Sequence, residues 1–126
     1  MRPKTLAEVA QLVIDGDTFD RCLANFLDEF YSAPTAKALA DSPVLVAPTF
    51  GELGRVQDAY LAATAEELAS AHKFPVPTWT TADARKLHRP WFASPLAALR
   101  AVLLLESPAA FRARNLFVSE NALTRA

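Results

Sequence analysis

The chain of 126 residues is 52% hydrophobic and carries a formal net charge of −1. These values suit one compact domain and exclude a disordered or collagen-like protein. Its single cysteine, Cys22, excludes an internal disulfide and favours a reducing, cytoplasmic setting. Alanine (25 residues) and leucine (17 residues) make up a third of the chain, and glycine occupies only three positions. The composition therefore predicts an all-α fold, a single compact domain over residues 1–126 with about five to six helices and proline-rich connectors.

The first two helices carry the clearest signals. Thr5 and Glu8 have the spacing of a capping box, and Gly16 supplies the left-handed residue that ends the helix. A second helix is predicted from position 17 or 18 to about position 31. Its apolar residues recur at i, i+3, i+4 and i+7, which places them in one continuous stripe. Cys22 lies in that stripe, so we interpret it as a core residue and not as a nucleophile.

Prolines divide the middle of the chain. A short helix is predicted over 35–41, followed by an extended link at 44–46 between two prolines. The third long helix is predicted from about 50 to 73. Two further prolines hold the connector 74–79 extended, and we expect its aromatic residues to pin it to the helices.

The C-terminal third combines short helices with extended pieces. A short helix is predicted up to residue 87, starting at position 80 or 81. Serine–proline pairs then predict helix starts at 94 and at 107, because serine caps well and proline suits the first helical position. The helix 94–106 is apolar almost all round, so we expect it to be the most buried element. Residues 115–118 are predicted to be extended, and residues 119–126 to form a turn or a loose tail.

Charge is distributed unevenly along the chain. Residues 1–72 hold five basic and eleven acidic side chains, whereas residues 73–126 hold eight basic and three acidic ones. One explanation is that the two halves pack together and their charges compensate. The other is a basic C-terminal face that binds an acidic partner or a phosphate backbone.

The sequence contains no pattern that predicts catalysis. Its only histidines are His72 and His88, and neither belongs to a cluster with zinc-ligand spacing. The three glycines form no phosphate-binding loop. The adjacent carboxylates at 28–29 and 66–67 point about 100° apart on a helix and cannot converge on one atom. We therefore predict no catalytic residue, no metal site and no cofactor, and interpret the chain as a non-enzymatic protein.

Aromatic and basic residues cluster at two places, and these are the residue types that dominate protein-binding hot spots. The first cluster consists of residues 88–92 with Trp79 upstream, and its tryptophan and phenylalanine side chains could instead simply fill the core. The second cluster is residues 111–117. Its arginines, Arg112 and Arg114, either pair with the acidic half or face a partner, because burying them unpaired is costly. The predicted partner-binding residues are Trp79, Arg89, Trp91, Phe92, Arg112, Arg114 and Phe117.

Several strings, taken together, resemble a family of small bacterial helical proteins of unknown function. They are LAE at 6–8, FLDEFY at 26–31, DAYLAA at 58–63, PVPTW at 75–79, PWFA at 90–93 and ESPAAFRARNLFV at 106–118. Members of that family are often encoded beside a nucleotidyltransferase-like protein, in a toxin–antitoxin-like arrangement. The resemblance implies an antitoxin-like inhibitor that binds a nucleotidyltransferase-like partner, and it transfers no catalytic residue.

A second function remains open at this stage. The basic half could serve a small DNA-binding transcriptional regulator, although no helix-turn-helix with a basic recognition helix is visible. A homodimer also remains open, because the helix 94–106 is apolar on all sides. The longest purely apolar run, residues 101–105, is far too short to span a membrane, so we expect no membrane association.

Overall fold

The computed structural model describes residues 2–125, and helices, with the 3-10 turns included, make up 59% of these residues, which confirms the all-α prediction. Within these residues there are seven α-helices, three 3-10 turns and one two-stranded sheet. The 3-10 turns are Thr78–Thr81, Asp83–Arg85 and Ala97–Leu99. The helices and strands are α1 (Leu6–Ile14), α2 (Phe19–Ser32), α3 (Lys37–Ala40), α4 (Ala47–Phe50), α5 (Glu52–His72), β1 (Trp91–Phe92), α6 (Arg100–Glu106), α7 (Ala109–Arg112) and β2 (Leu116–Phe117).

The start of α1 follows the predicted capping box. The Thr5 hydroxyl accepts the N–H of Glu8 at 3.0 Å, and the Glu8 carboxylate accepts the N–H of Lys4 at 2.8 Å. In a standard capping box the glutamate accepts the N–H of the N-cap residue, which here is Thr5. The Glu8 carboxylate accepts instead the N–H of the residue before Thr5. Gly16 adopts a φ of 110°, so the chain turns there without steric strain and enters α2.

The main core lies where α2 packs against α1 and α5. The predicted stripe of α2 is buried there, and Cys22 lies within it, so burial raises the pKa of its thiol. This confirms Cys22 as a core residue. The largest fully buried side chains of this cluster are Phe26, Leu6, Leu39, Leu61, Val9 and Val46.

The long helix predicted from 50 to 73 is broken near its start. Gly51 has a φ of 66° and separates the single turn of α4 from α5. The proline expected to close the extended link, Pro48, lies instead in the first turn of α4, where proline needs no hydrogen-bonding N–H. Lys73 ends α5 in the left-handed conformation.

A buried ion pair ties this region together. The Asp58 carboxylate accepts the N–H groups of Val46 at 2.8 Å and Ala47 at 3.1 Å. The Arg85 guanidinium lies 3.8 Å from the same carboxylate and donates to the carbonyl of Pro43. Both charged side chains are almost completely buried. The pair therefore fixes the α3–α4 link and the 3-10 turn at 83–85 on the same side of α5.

The short sheet joins two distant segments. Strands β1 and β2 are parallel, with Trp91 opposite Leu116 and Phe92 opposite Phe117. The extended piece predicted at 115–118 is confirmed at Leu116 and Phe117, which form β2, but not at Asn115, and no sequence signal predicted β1. Asn115 has a φ of 62°, which turns the chain from α7 into β2.

The prediction for residues 94–106 is wrong in two respects. The helix begins only at Arg100, since the Ser94 hydroxyl accepts the N–H of Leu96 at 3.2 Å in a local turn. In α6 only Leu103 is buried, so this element is not the most buried. The physical reason is that α6 contacts the sheet with one side and no described element covers the other.

The helix predicted to start at 107 is the single turn of α7, and its serine plays a different role. Ser107 donates its hydroxyl to the carbonyl of Leu116 at 2.8 Å and accepts the N–H of Val118 at 3.3 Å. It therefore links the junction between α6 and α7 to β2 instead of capping α7 at its N-terminus.

The C-terminal residues turn as predicted but are not loose. The Tyr31 hydroxyl donates to the carbonyl of Leu123 at 2.8 Å. Arg125 lies 2.9 Å from the carboxylate of Asp28, and this hydrogen bond holds the pKa of Asp28 below its usual value. These contacts attach the tail to α2. The last predicted residue, Ala126, lies outside the described residues.

No helix among residues 2–125 has the length and apolar character needed to cross a lipid bilayer.

The close approach of α4 to α5 predicts an unusual response to substitution at Gly54. In most helix interiors Gly→Ala stabilises the fold by about 1 kcal/mol. Here the added Cβ would lie 2.7 Å from Ala47 Cα and 2.8 Å from the Val46 carbonyl oxygen. We expect Gly54→Ala to lower the free energy of unfolding by about 1–3 kcal/mol, measured by urea denaturation. Ser70→Ala, on the exposed side of the same helix, is the control and should be neutral or slightly stabilising. A stabilised Gly54→Ala protein would contradict the packing.

Candidate interaction surface

The predicted partner-binding residues differ widely in exposure. Arg114 and Phe117 are buried, at 6% and 7% relative exposure. The aromatic residues Trp79, Trp91 and Phe92 are half-buried, and only Arg89 and Arg112 are exposed. The seven residues therefore divide into supports of the fold and accessible side chains.

Arg114 pairs inside the molecule. Its guanidinium lies 2.9 Å from the Glu66 carboxylate and donates to the carbonyls of Ala110 at 2.8 Å and Thr80 at 2.9 Å. For this residue the internal pairing with the acidic half is confirmed. Arg112 is exposed and takes part in no ion pair within residues 2–125, so it keeps its charge on the surface.

Trp79 pins the proline-rich connector, as its aromatic character predicted. The indole N–H donates to the carbonyl of Leu39 at 3.0 Å. The Arg85 guanidinium lies 4.8 Å from the ring centroid, a cation–π distance. Trp79 therefore joins the connector to α3 and to the buried ion pair.

Strand β1 places its two aromatic side chains on opposite sides, because successive strand residues alternate. Phe92 stacks on Phe117 at 5.1 Å between ring centroids, and the Arg100 guanidinium lies 5.1 Å from the Phe92 ring. Trp91 packs against the second core cluster beside Val56 of α5. One side of β1 thus faces α6 and the other faces α5.

The most exposed apolar part of the described chain is the segment that was expected to be buried. We define the α6 surface as five large side chains on α6 and the turn before it. Monomeric proteins rarely leave contiguous apolar patches uncovered unless the patch binds something. The sequence pattern could not identify this surface, since a buried helix and an uncovered one show the same apolar residues. The α6 surface comprises Leu96 (61% exposed), Leu99 (41%), Val102 (44%), Leu104 (46%) and Leu105 (84%).

Two neighbouring hollows lie on the α5 side of β1. The apolar groove, about 600 Å³, runs between α2, α5 and the C-terminal tail. The basic hollow, about 660 Å³, lies between the first turns of α5 and residues 87–91. Val56 and Trp91 line both, so the hollows adjoin along a shared wall.

The residues that could hold a metal ion are dispersed. Within the part of the chain that the structure describes, no three His, Cys, Asp or Glu side chains come close enough to share a metal ion. His72 bonds through Nδ1 to the carbonyl of Leu68 at 3.0 Å and packs between Phe30 and Phe74. His88 lines the basic hollow.

No protein-family model matches the chain, and no curated protein or solved structure shows significant similarity to it.

The contrast between the two arginines predicts different effects of alanine substitution. Arg114→Ala removes a buried charge and leaves Glu66 and two carbonyls without their donor, so we expect unfolding to become easier by about 2–3 kcal/mol. Arg112→Ala should change stability by less than about 0.5 kcal/mol. Urea denaturation of both variants measures the difference. Equal stabilities would show that the Arg114 contacts do not support the fold.

Tyr60 lies on the wall of the apolar groove, and the burial of its phenol predicts that the protein loses stability in alkaline solution. Burial, with a smaller effect of the Asp20 charge, raises the pKa of Tyr60 from 10.0 to about 12. The neutral phenol therefore contributes stability that is complete below pH 10 and is lost as the pH rises to about 12, in total about 2–3 kcal/mol. Tyr60→Phe should remove this part of the pH dependence.

The measurement is straightforward because the chain has only two tyrosines. In a Tyr31→Phe background, absorbance at the phenolate band follows Tyr60 alone, and denaturation at several pH values follows stability. A Tyr60 that ionises with an ordinary pKa would contradict its burial.

Proposed function

We propose that this protein is a non-enzymatic protein-binding module whose α6 surface docks onto a partner protein. The observation that carries the proposal is the exposed apolar segment from Leu96 to Leu105. Burying a leucine side chain contributes about 1.5–3 kcal/mol, so covering this surface would provide much of the free energy of a stable complex. The Arg100 guanidinium, beside the surface and over the Phe92 ring, adds a residue type common in hot spots.

The partner we propose is a nucleotidyltransferase-like protein, and the mode of action is antitoxin-like inhibition. The support for this part is the family resemblance of the sequence. It agrees with the chemistry of the molecule, since an inhibitor needs a stable scaffold and an exposed recognition surface but no reactive group. Of the exposed members of the predicted set, Arg112 is available as an additional polar contact, whereas Arg89 lies in the basic hollow on the other side of β1.

The alternative, a DNA-binding transcriptional regulator, has less support. It depends on the basic C-terminal half, and four basic side chains of that half form ion pairs within the molecule. A paired cation is less available to a phosphate backbone. The four are Arg85, Lys86, Arg114 and Arg125.

Substitution of the most exposed residue of the α6 surface tests the proposal. We expect Leu105→Glu to weaken partner binding at least tenfold, or about 1.4 kcal/mol, because it buries a charge against an apolar contact. Stability should be unchanged, since Leu105 is 84% exposed. The measurement is recovery of the partner from nuclease-treated lysate of the native bacterium, followed by titration of the purified pair. Val76→Glu, at another exposed apolar position, is the matched control.

Three outcomes would contradict this proposal. Retained binding by Leu105→Glu would show that the α6 surface is not the docking site. Recovery of nucleic acid without a protein would favour the regulator. If the protein sediments as a dimer and Leu105→Glu dissociates that dimer, the occupant of the α6 surface is a second copy of the chain.

A further inference from the structure

A composite cleft lies on the opposite side of β1 from the α6 surface. It consists of the apolar groove and the basic hollow, which meet at Val56 and Trp91. The two parts differ in chemistry, and this difference defines what the cleft can bind.

The basic hollow supplies positive charge. Arg55 on α5 and Arg89 on the loop before β1 both line it, and His88 lies beside them. Neither arginine takes part in an ion pair within residues 2–125, whereas five other arginines of that range do. One carboxylate, Glu52, also lines the hollow and offsets part of the charge. Two arginines without a partner in one concavity suit an anionic group of a ligand.

The apolar groove supplies hydrophobic contact. Its walls include Leu23 and Leu27 of α2 and Leu53 of α5, the last of which is 61% exposed. Gln57, on the same wall, has a buried side-chain oxygen that no donor among the described residues satisfies. A buried acceptor without a partner costs free energy, so turning this side chain toward an N–H donor of a ligand would be stabilising.

We infer that this cleft binds an extended peptide segment of a partner protein, with apolar side chains in the groove followed by acidic side chains in the basic hollow. A peptide meets each requirement, since its apolar residues fill the groove, its carboxylates pair with Arg55 and Arg89, and its backbone N–H groups are donors for Gln57 once that side chain turns toward the groove. A fatty acid lacks the N–H donors. A nucleic acid carries charge along its whole length and would place phosphates against Leu23 and Leu53.

This inference rests on the proposed function only in taking a protein as the partner, because the cleft and the α6 surface are different surfaces. The two can therefore fail separately. Leu105→Glu should abolish docking through α6 and leave binding in the cleft unchanged.

The probe is a fluorescein-labelled octapeptide of four leucines followed by four glutamates, titrated with the purified protein at low salt and followed by anisotropy. We expect saturable binding that weakens at least tenfold in the Arg55→Glu, Arg89→Glu double variant. Leu53→Glu should also weaken binding, because it places a charge on the apolar wall. The control Lys37→Glu makes the same charge change at an exposed cation that does not line the cleft, and should leave binding intact.

The charge-reversed peptide, four leucines followed by four lysines, should not bind. The inference is overturned if the glutamate peptide does not bind, if both peptides bind equally, or if the double variant binds as the wild type does. An eight-nucleotide oligothymidine is tested as a competitor of the peptide. If it displaces the peptide, and its own binding is weakened by the Arg55→Glu, Arg89→Glu double variant but not by Leu53→Glu, the inference is overturned in favour of a nucleic acid. Thermal denaturation of each variant separates a lost contact from a lost fold.

Discussion

The buried pair of Asp58 and Arg85 is the contact on which the arrangement of the molecule depends. Burying two charges is costly, and here burial raises the pKa of Asp58 and lowers that of Arg85. The pair persists because its polar atoms have partners: two backbone N–H groups for the carboxylate and two backbone carbonyls for the guanidinium. It thereby specifies where the α3–α4 link and the C-terminal half attach to α5. Trp79, stacked on Arg85, extends that attachment to the connector.

Once the C-terminal half is attached in this way, the exposure of α6 follows. The other side of α5 is occupied by α7 and β2, where Phe111 meets Tyr60 at 4.9 Å between ring centroids. Helix α6 then packs on the sheet, with Leu103 as its buried side chain. The remaining leucines of α6, Leu104 and Leu105, are 46% and 84% exposed. An apolar surface and a cleft on the opposite side of β1 are thus consequences of the same packing.

Local signals account for what the sequence predicts well. The capping box at Thr5, the stripe of α2 and the extended piece before Val118 depend on neighbouring residues, and all three are confirmed. Burial depends on residues distant in the sequence, so the same apolar pattern that placed α2 correctly misplaced the helix 94–106. The candidate site was predicted only by residue type. Type alone cannot distinguish Arg114, buried against Glu66, from Arg112, which is exposed two residues away.

Ion pairs within the fold account for part of the uneven charge of the two halves. Arg85, Arg114 and Arg125 each pair with a carboxylate of the acidic half, so part of the charge is neutralised inside the fold. The cations left over include Arg89 in the basic hollow and Arg100 beside the α6 surface. Each lies next to apolar side chains that no described element covers. In such a setting charge contributes mainly to the rate and selectivity of association, while apolar contact supplies the free energy. The residual charge of the C-terminal half therefore lies beside the two surfaces that we propose bind partners.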